Sequence, residues 1–255
     1  MRLHLLEAFE EGSCVLANRI RLERHYLPVT TQGMDHHASE YLTRVSDVTL
    51  EQLRGSMCLI HSEEMCSNVY IEMALTLAMN GFLVHMIDLE CYGYSAGHRI
   101  NDICVEKFHH SITMLLSQAS PDLPCYLIGH GVGALAASTF LAQNKHISEK
   151  IAGVVYLAPM FGQKNEPNFL KKGITSLLAG LLDELVHRNS TQLSDLTRNK
   201  HWVRTALQQN KVLPFRTAML DDSIGRSIEH AMTFSHKVEY AHLTLIAEKD
   251  KVVDN

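Results

Sequence analysis

The stretch CYLIGHGVGALAASTFLAQ, residues 125 to 143, decides how the rest of this chain is read. A short apolar run, Tyr126 to Ile128, stops at Gly129-His130-Gly131-Val132-Gly133 and passes directly into small, helix-favouring residues from Ala134 to Ala142. The pattern is a buried strand, a very tight turn and a helix. Side chains set on such a turn project from the end of a sheet, so the middle position, Gly131, is the first candidate functional position.

Working outward, strand and helix patterns alternate on both sides of this unit. Met57 to Ile60 reads as a short buried strand ending at His61-Ser62-Glu63-Glu64. Val69, Met73 and Leu77 then repeat at helical spacing until Asn80-Gly81, a helix-stop signal. Phe82 to Ile87 is a further strand, and Asn101-Asp102 are positioned to cap a helix carrying Ile103, Phe108, Ile112, Leu115 and Leu116. Ile151 to Leu157 and His242 to Ala247 are the later strands. Crossovers of this length imply a mostly parallel sheet covered by helices on both faces, with ligands expected at the carboxyl ends of its strands. Ahead of this core, residues 1 to 24 read as a helix or an extended lead-in. Tyr26 to Thr31 and Tyr41 to Val45 read as antiparallel edge strands.

Between residues 162 and 236 the alternation gives way to helical patterns, read as a cap inserted within a single domain spanning 1 to 255. Ile174, Leu177, Leu178, Leu181, Leu182 and Leu185 form its apolar stripe, which packs on the core or touches a membrane surface or an acyl chain.

Composition bounds the function. With 46% hydrophobic and 20% charged residues the chain can bury a full core in 255 residues. A net charge of -5 leaves no phosphate-binding footprint, so nucleic acid is not an expected partner. Six cysteines without a C-x-x-C pair read as reduced thiols of a cytoplasmic protein. The N-terminus turns acidic too soon for a signal peptide, and no apolar run reaches membrane-spanning length. Histidine pairs such as His36-His37 and His109-His110 have no accompanying H-E-x-x-H pattern, so neither a metal nor a cofactor is expected.

Four motifs, in order and over roughly residues 56 to 255, resemble the monoacylglycerol-lipase-like branch of the α/β-hydrolases, the serine aminopeptidase or lysophospholipase type. His61-Ser62 stands where the family has an H-G oxyanion loop. Asp88, Gly93, Ser95 and Gly97 match its D-x-x-G-x-G-x-S-x-G loop, with Cys91 at the first glycine. Gly129, His130 and Gly133 match its G-H-S-x-G nucleophile elbow, with Gly131 in place of the serine. Asp250 falls in a motif like G-x-x-D-x-x-V, its leading glycine replaced by Ala247.

The resemblance implies an α/β-hydrolase fold and serine-ester chemistry, and the residues can be weighed against that chemistry. Acyl transfer needs a nucleophile, a base, an acid and backbone donors for the oxyanion. Asp250 holds the acid position, whereas Gly131 has no side chain to attack with. The base should follow Asp250, but only residues to Asn255 remain; a last strand and helix of the family are expected to be missing there, leaving a sheet edge uncovered. His130 belongs to the elbow and is not the base. The oxyanion donors would be the amides of Glu63 and Val132, with Ser62 and Glu64 replacing family glycines and two carboxylates beside the hole. Gly93-Tyr94-Ser95-Ala96-Gly97 is literally G-x-S-x-G, yet lacks the strand before and the helix after.

The expectation is a catalytically impaired or inactive relative that binds a lipid or ester-like small molecule, with peripheral membrane contact through the cap. The alternative is an active ester or acylglycerol hydrolase that works through an unorthodox nucleophile or with a fuller C-terminus.

Overall fold

A computed structural model describes residues 12–29, 38–63, 65–96, 103–162, 186–188, 193–200, 215–234 and 238–254. The chain enters through β1 (Gly12–Leu16), β2 (Ile20–Val29) and β3 (Ala38–Asp47), consecutive antiparallel strands. The lead-in, where described, is therefore strand. It continues through β4 (Gly55–Ile60), α1 (Ile71–Met79), β5 (Phe82–Ile87), α2 (Val105–Ser117), β6 (Cys125–His130), α3 (Val132–Gln143), α4 (Lys145–Ser148) and β7 (Ile151–Leu157). Beyond these lie β8 (Val186–Arg188), α5 (Leu193–Leu196), β9 (Phe215–Thr217), α6 (Ala218–Phe234) and β10 (His242–Leu245).

Eight strands make one sheet in the order β1-β2-β3-β5-β4-β6-β7-β10. From β5 to β10 every pairing is parallel, so the carboxyl ends of β4, β6, β7 and β10 open on one side. Period-two alternation divides the core. Cys58, Ile60, Leu127, Val154 and Tyr156 pack with α2, α3 and α6 on one face, while Leu59, Ile128 and Met86 pack with α1 on the other. β10 lies at the sheet edge, and its Leu243 and Leu245 are half exposed.

Most of the segment read as a cap, including the stripe from Ile174 to Leu185, lies outside the described residues. Its return is described: β9 pairs with β8 in a separate two-stranded sheet, and α6 packs on the core. The second helix also starts later than its local sequence suggests. Cys104 is extended (φ -148°) and α2 begins at Val105, whose amide donates to Ser223 Oγ on α6 at 3.1 Å. That amide is thus capped from a distant helix; Asn101-Asp102, read as the cap, lie outside the described residues.

Several titratable side chains were folded into this core. Burial pushes the Glu40 carboxyl up to about 7, while the Ser111 hydroxyl donates to its Oε1 at 2.6 Å. Burial pushes His85 and His130 the other way, down to about 4. A raised carboxyl contributes stability that is present below its ordinary pKa and is lost as pH rises through its folded value; a depressed histidine contributes stability lost as pH falls through its own. Wild type should therefore lose about 3 kcal/mol relative to Glu40→Gln between pH 4.5 and pH 8. Urea unfolding across that range checks this, and a difference that does not change with pH would refute it.

Candidate functional site

The site is built around the junction of β6 and α3. Gly131 is the N-cap of α3, with φ 54° and ψ -118°, a conformation in which a side chain is strained. Its amide donates to the Leu157 carbonyl at 3.0 Å, and its own carbonyl accepts from Ala134, Leu135 and Met160. The turn is thereby tied to the end of β7 as well as to its own helix. Gly133 is needed for a different reason: a Cβ there would overlap the His61 carbonyl oxygen and lie 2.9 Å from that of Ile60. The elbow helix can sit this close to β4 only without a side chain at that position.

The loop after β4 comes up against the elbow. A Cβ built at 131 would overlap Ser62 Oγ and lie 3.0 Å from Ser62 Cβ. The Ser62 hydroxyl thus occupies the space into which an elbow side chain would project. Ser62 is only 7% exposed, and its amide donates to Tyr70 Oη at 3.2 Å.

That phenol also lies 2.7 Å from His130 Nδ1 and 3.1 Å from Met65 Sδ. An imidazole nitrogen is a far better acceptor than a thioether, so the phenol proton goes to His130 Nδ1. With its pKa held near 4 chiefly by burial, His130 is neutral and carries its own proton on Nε2.

His61 is fully buried and lies behind the cavity wall. The Leu89 amide donates to Nε2 at 2.9 Å, which puts the proton on Nδ1, 2.6 Å from the Ser62 carbonyl that accepts it. Burial holds this imidazole neutral, against the opposing pull of Asp88. Its two hydrogen bonds fix the Ser62 loop to the start of the loop after β5.

Glu63 is buried and ion-paired to Arg216 of β9, which also reaches Asp221 at 3.2 Å. The carboxylate expected to weaken an oxyanion hole is thus ion-paired to a cation from the far end of the cap segment, which it shares with Asp221. Glu64 lies outside the described residues. Asp250 accepts from the amides of Val252 and Val253, both at 2.8 Å through Oδ1, and so closes the turn after β10.

Ser62, Glu63, His130, Gly131 and Asp250 all line one cavity of about 870 Å³, together with Met160, Leu196 and Val252. Val132 is fully buried beneath it at the start of α3. Asp195 of α5 pairs with Lys251 at 3.0 Å across the same cavity.

Ser95 is placed elsewhere. Its hydroxyl donates to the Asp88 carbonyl at 2.5 Å and accepts the Tyr41 amide at 2.8 Å, so it holds the loop after β5 to β3. In the same loop Asp88 accepts from the Ser67 and Tyr94 amides. Cys91, at the first glycine position of that motif, takes a positive φ of 67°, a conformation that favours glycine. Sequence reasoning missed Tyr70 and Arg216. Tyr70 carries no motif, and nothing in the sequence singled out Arg216 among the basic residues.

Among the described residues no group of His, Cys, Asp or Glu is placed to hold a metal ion, none of the six cysteines is in a disulfide, and no helix is long and apolar enough to cross a membrane.

The family model described as serine aminopeptidase, S33, matches residues 51–255. The chain therefore belongs to that family, and its mostly parallel sheet with helices on both faces is the α/β-hydrolase fold. Among solved structures, a monoacylglycerol lipase from Paleococcus ferrophilus superposes with a TM-score of 0.69 at 21% identity, over 81% of this chain and 77% of that one. A soluble variant of monoglyceride lipase from Saccharomyces cerevisiae, in complex with a substrate analog, gives 0.73 at 15% identity, over 89% and 79%. A carboxyl esterase from Bacillus coagulans, in complex with glycerol, gives 0.60 at 13% identity, over 88% and 89%. No curated protein matches the chain in sequence.

Proposed function

We propose that this chain is a monoacylglycerol-lipase-like α/β-hydrolase that binds a lipid or ester-like molecule without turning it over. One observation carries the reading: the elbow position is a glycine at φ 54°, with the space above it filled by the Ser62 side chain. No nucleophile stands on the elbow. The histidine beside it, His130, has its Nδ1 occupied by Tyr70 and a pKa near 4, which suits it poorly to accept a proton at neutral pH. The apolar members of the cavity wall, Met160, Leu196 and Val252, suit an acyl chain, and six cysteines outside any disulfide accord with a cytoplasmic setting. On this reading the apolar stripe of the segment 162–236 serves peripheral contact with a membrane surface.

The second reading, turnover through an unorthodox nucleophile, has a specific candidate in Ser62, because Ser95 is committed to two hydrogen bonds in its loop. Hydrolysis of p-nitrophenyl butyrate separates the two. The expected result is a rate for wild type no greater than that of Ser62→Ala; saturable turnover lost in Ser62→Ala would overturn the non-turnover reading.

A further inference from the structure

We propose that the open edge of β10 is an interface at which a second copy of this chain continues the sheet, antiparallel, about a two-fold axis at Thr244. The inference does not depend on whether the cavity supports turnover.

β10 pairs with β7 on one side, and no described strand pairs with it on the other. All its residues are exposed. Leu243, Leu245 and Ile246 are 54%, 50% and 62% exposed, the densest run of exposed large apolar side chains among the described residues. An edge that combines open backbone groups with apolar side chains is a template for another strand. Natural edges are commonly blunted by lysine or proline, and neither stands within residues 242 to 246.

The backbone restricts how a strand can be added. The Ala241 carbonyl accepts the Val154 amide at 2.9 Å, and the Leu245 carbonyl accepts the Ala158 amide at 2.7 Å. Odd-numbered residues of β10 therefore face β7, while His242, Thr244 and, next in alternation, Ile246 turn their backbone groups to the open edge. Leu243 and Leu245 lie level with Val155 and Leu157, which are only partly buried on the α1 face of the sheet. The four side chains make one apolar strip that ends at the edge.

A second copy fits this edge because the edge is self-complementary. A two-fold axis normal to the sheet pairs outward residues with outward residues and keeps each face continuous. Centred on Thr244, it sets Thr244 opposite Thr244, His242 opposite Ile246 and Leu243 opposite Leu245, so the two apolar strips join. It also brings Glu239 toward the second copy's Lys249. Both are exposed, and Glu239 already lies 3.8 Å from Lys145. Glu248 comes opposite Tyr240, so no like charges face one another across the strand pair. An axis at Leu243 would lose the match of Glu239 with Lys249.

One short strand and one apolar strip make a small interface, so a dissociation constant of about 10 μM is expected. The test is sedimentation equilibrium from about 1 to about 200 μM on wild type, Leu243→Lys, Glu239→Lys and the exchange variant Glu239→Lys with Lys249→Glu. Urea unfolding of each protein shows that it is folded. Wild type is expected to follow a monomer to dimer equilibrium, and Leu243→Lys to stay monomeric. Glu239→Lys should weaken association roughly tenfold, since two symmetry-related ion pairs become repulsions, and the exchange variant should recover it. Wild type that is monomeric at about 200 μM would overturn the proposal, as would a dimer that persists in folded Leu243→Lys. Failure of the exchange variant to recover association would overturn the arrangement about Thr244.

Discussion

Asp88→Ala is expected to lower the stability of this protein by about 4 kcal/mol, from the desolvation of two backbone amides left without acceptors. Asp88 is fully buried. Its Oδ1 accepts the Ser67 amide at 2.6 Å and its Oδ2 accepts the Tyr94 amide at 2.9 Å. One side chain therefore joins the 3₁₀ turn before α1 to the loop after β5, and alanine can satisfy neither donor. The loop cannot relax easily around the loss, because Gly93 approaches so closely that a Cβ there would overlap Asp88 Oδ2. At the usual scaling for a chain of this size, the melting temperature should fall by about 8 to 16 °C. Asn would keep an acceptor for one amide and is expected to lose about half as much. A melting temperature for Asp88→Ala within about 2 °C of wild type would show that the loop is held by other contacts.

The elements legible in the sequence were those whose signal is local. The strand, turn and helix of residues 125 to 143 could be read because a short apolar run, three glycines and a small-residue helix follow one another without a gap. The stop of α1 at Asn80-Gly81 was equally local, and Gly81 does take a positive φ of 93°. What could not be read depends on residues far apart in the chain. Ser223 caps α2 from α6, and no feature near Val105 announces it. Arg216 pairs with Glu63 from β9, so the sequence suggested an acidic oxyanion loop where the structure has an ion pair. Cys91 is intermediate: the sequence showed a lost family glycine, but only the backbone shows that a glycine-favouring positive φ stands there.

The same limit hid the relation between Ser62 and Gly131, from which the second large effect follows. In the family pattern the oxyanion loop carries glycine and the elbow carries serine; this chain has serine in the first place and glycine in the second. A Cβ at 131 would overlap Ser62 Oγ, so the two exchanges depend on one another sterically. Gly131→Ser alone should cost about 3 kcal/mol, combining overpacking against Ser62 with strain at a positive φ. Ser62→Gly alone should cost about 1 kcal/mol through added freedom of the unfolded loop. The double variant, Ser62→Gly with Gly131→Ser, should be about 2 kcal/mol below wild type rather than about 4, because removing the Ser62 side chain removes the overlap and leaves the backbone strain. Urea unfolding of the four proteins measures this coupling, and strictly additive costs would show that the Ser62 loop yields to a side chain at 131. The comparison bears directly on attempts to restore a nucleophile: a serine placed at Gly131 without Ser62→Gly competes for space with the hydroxyl already there.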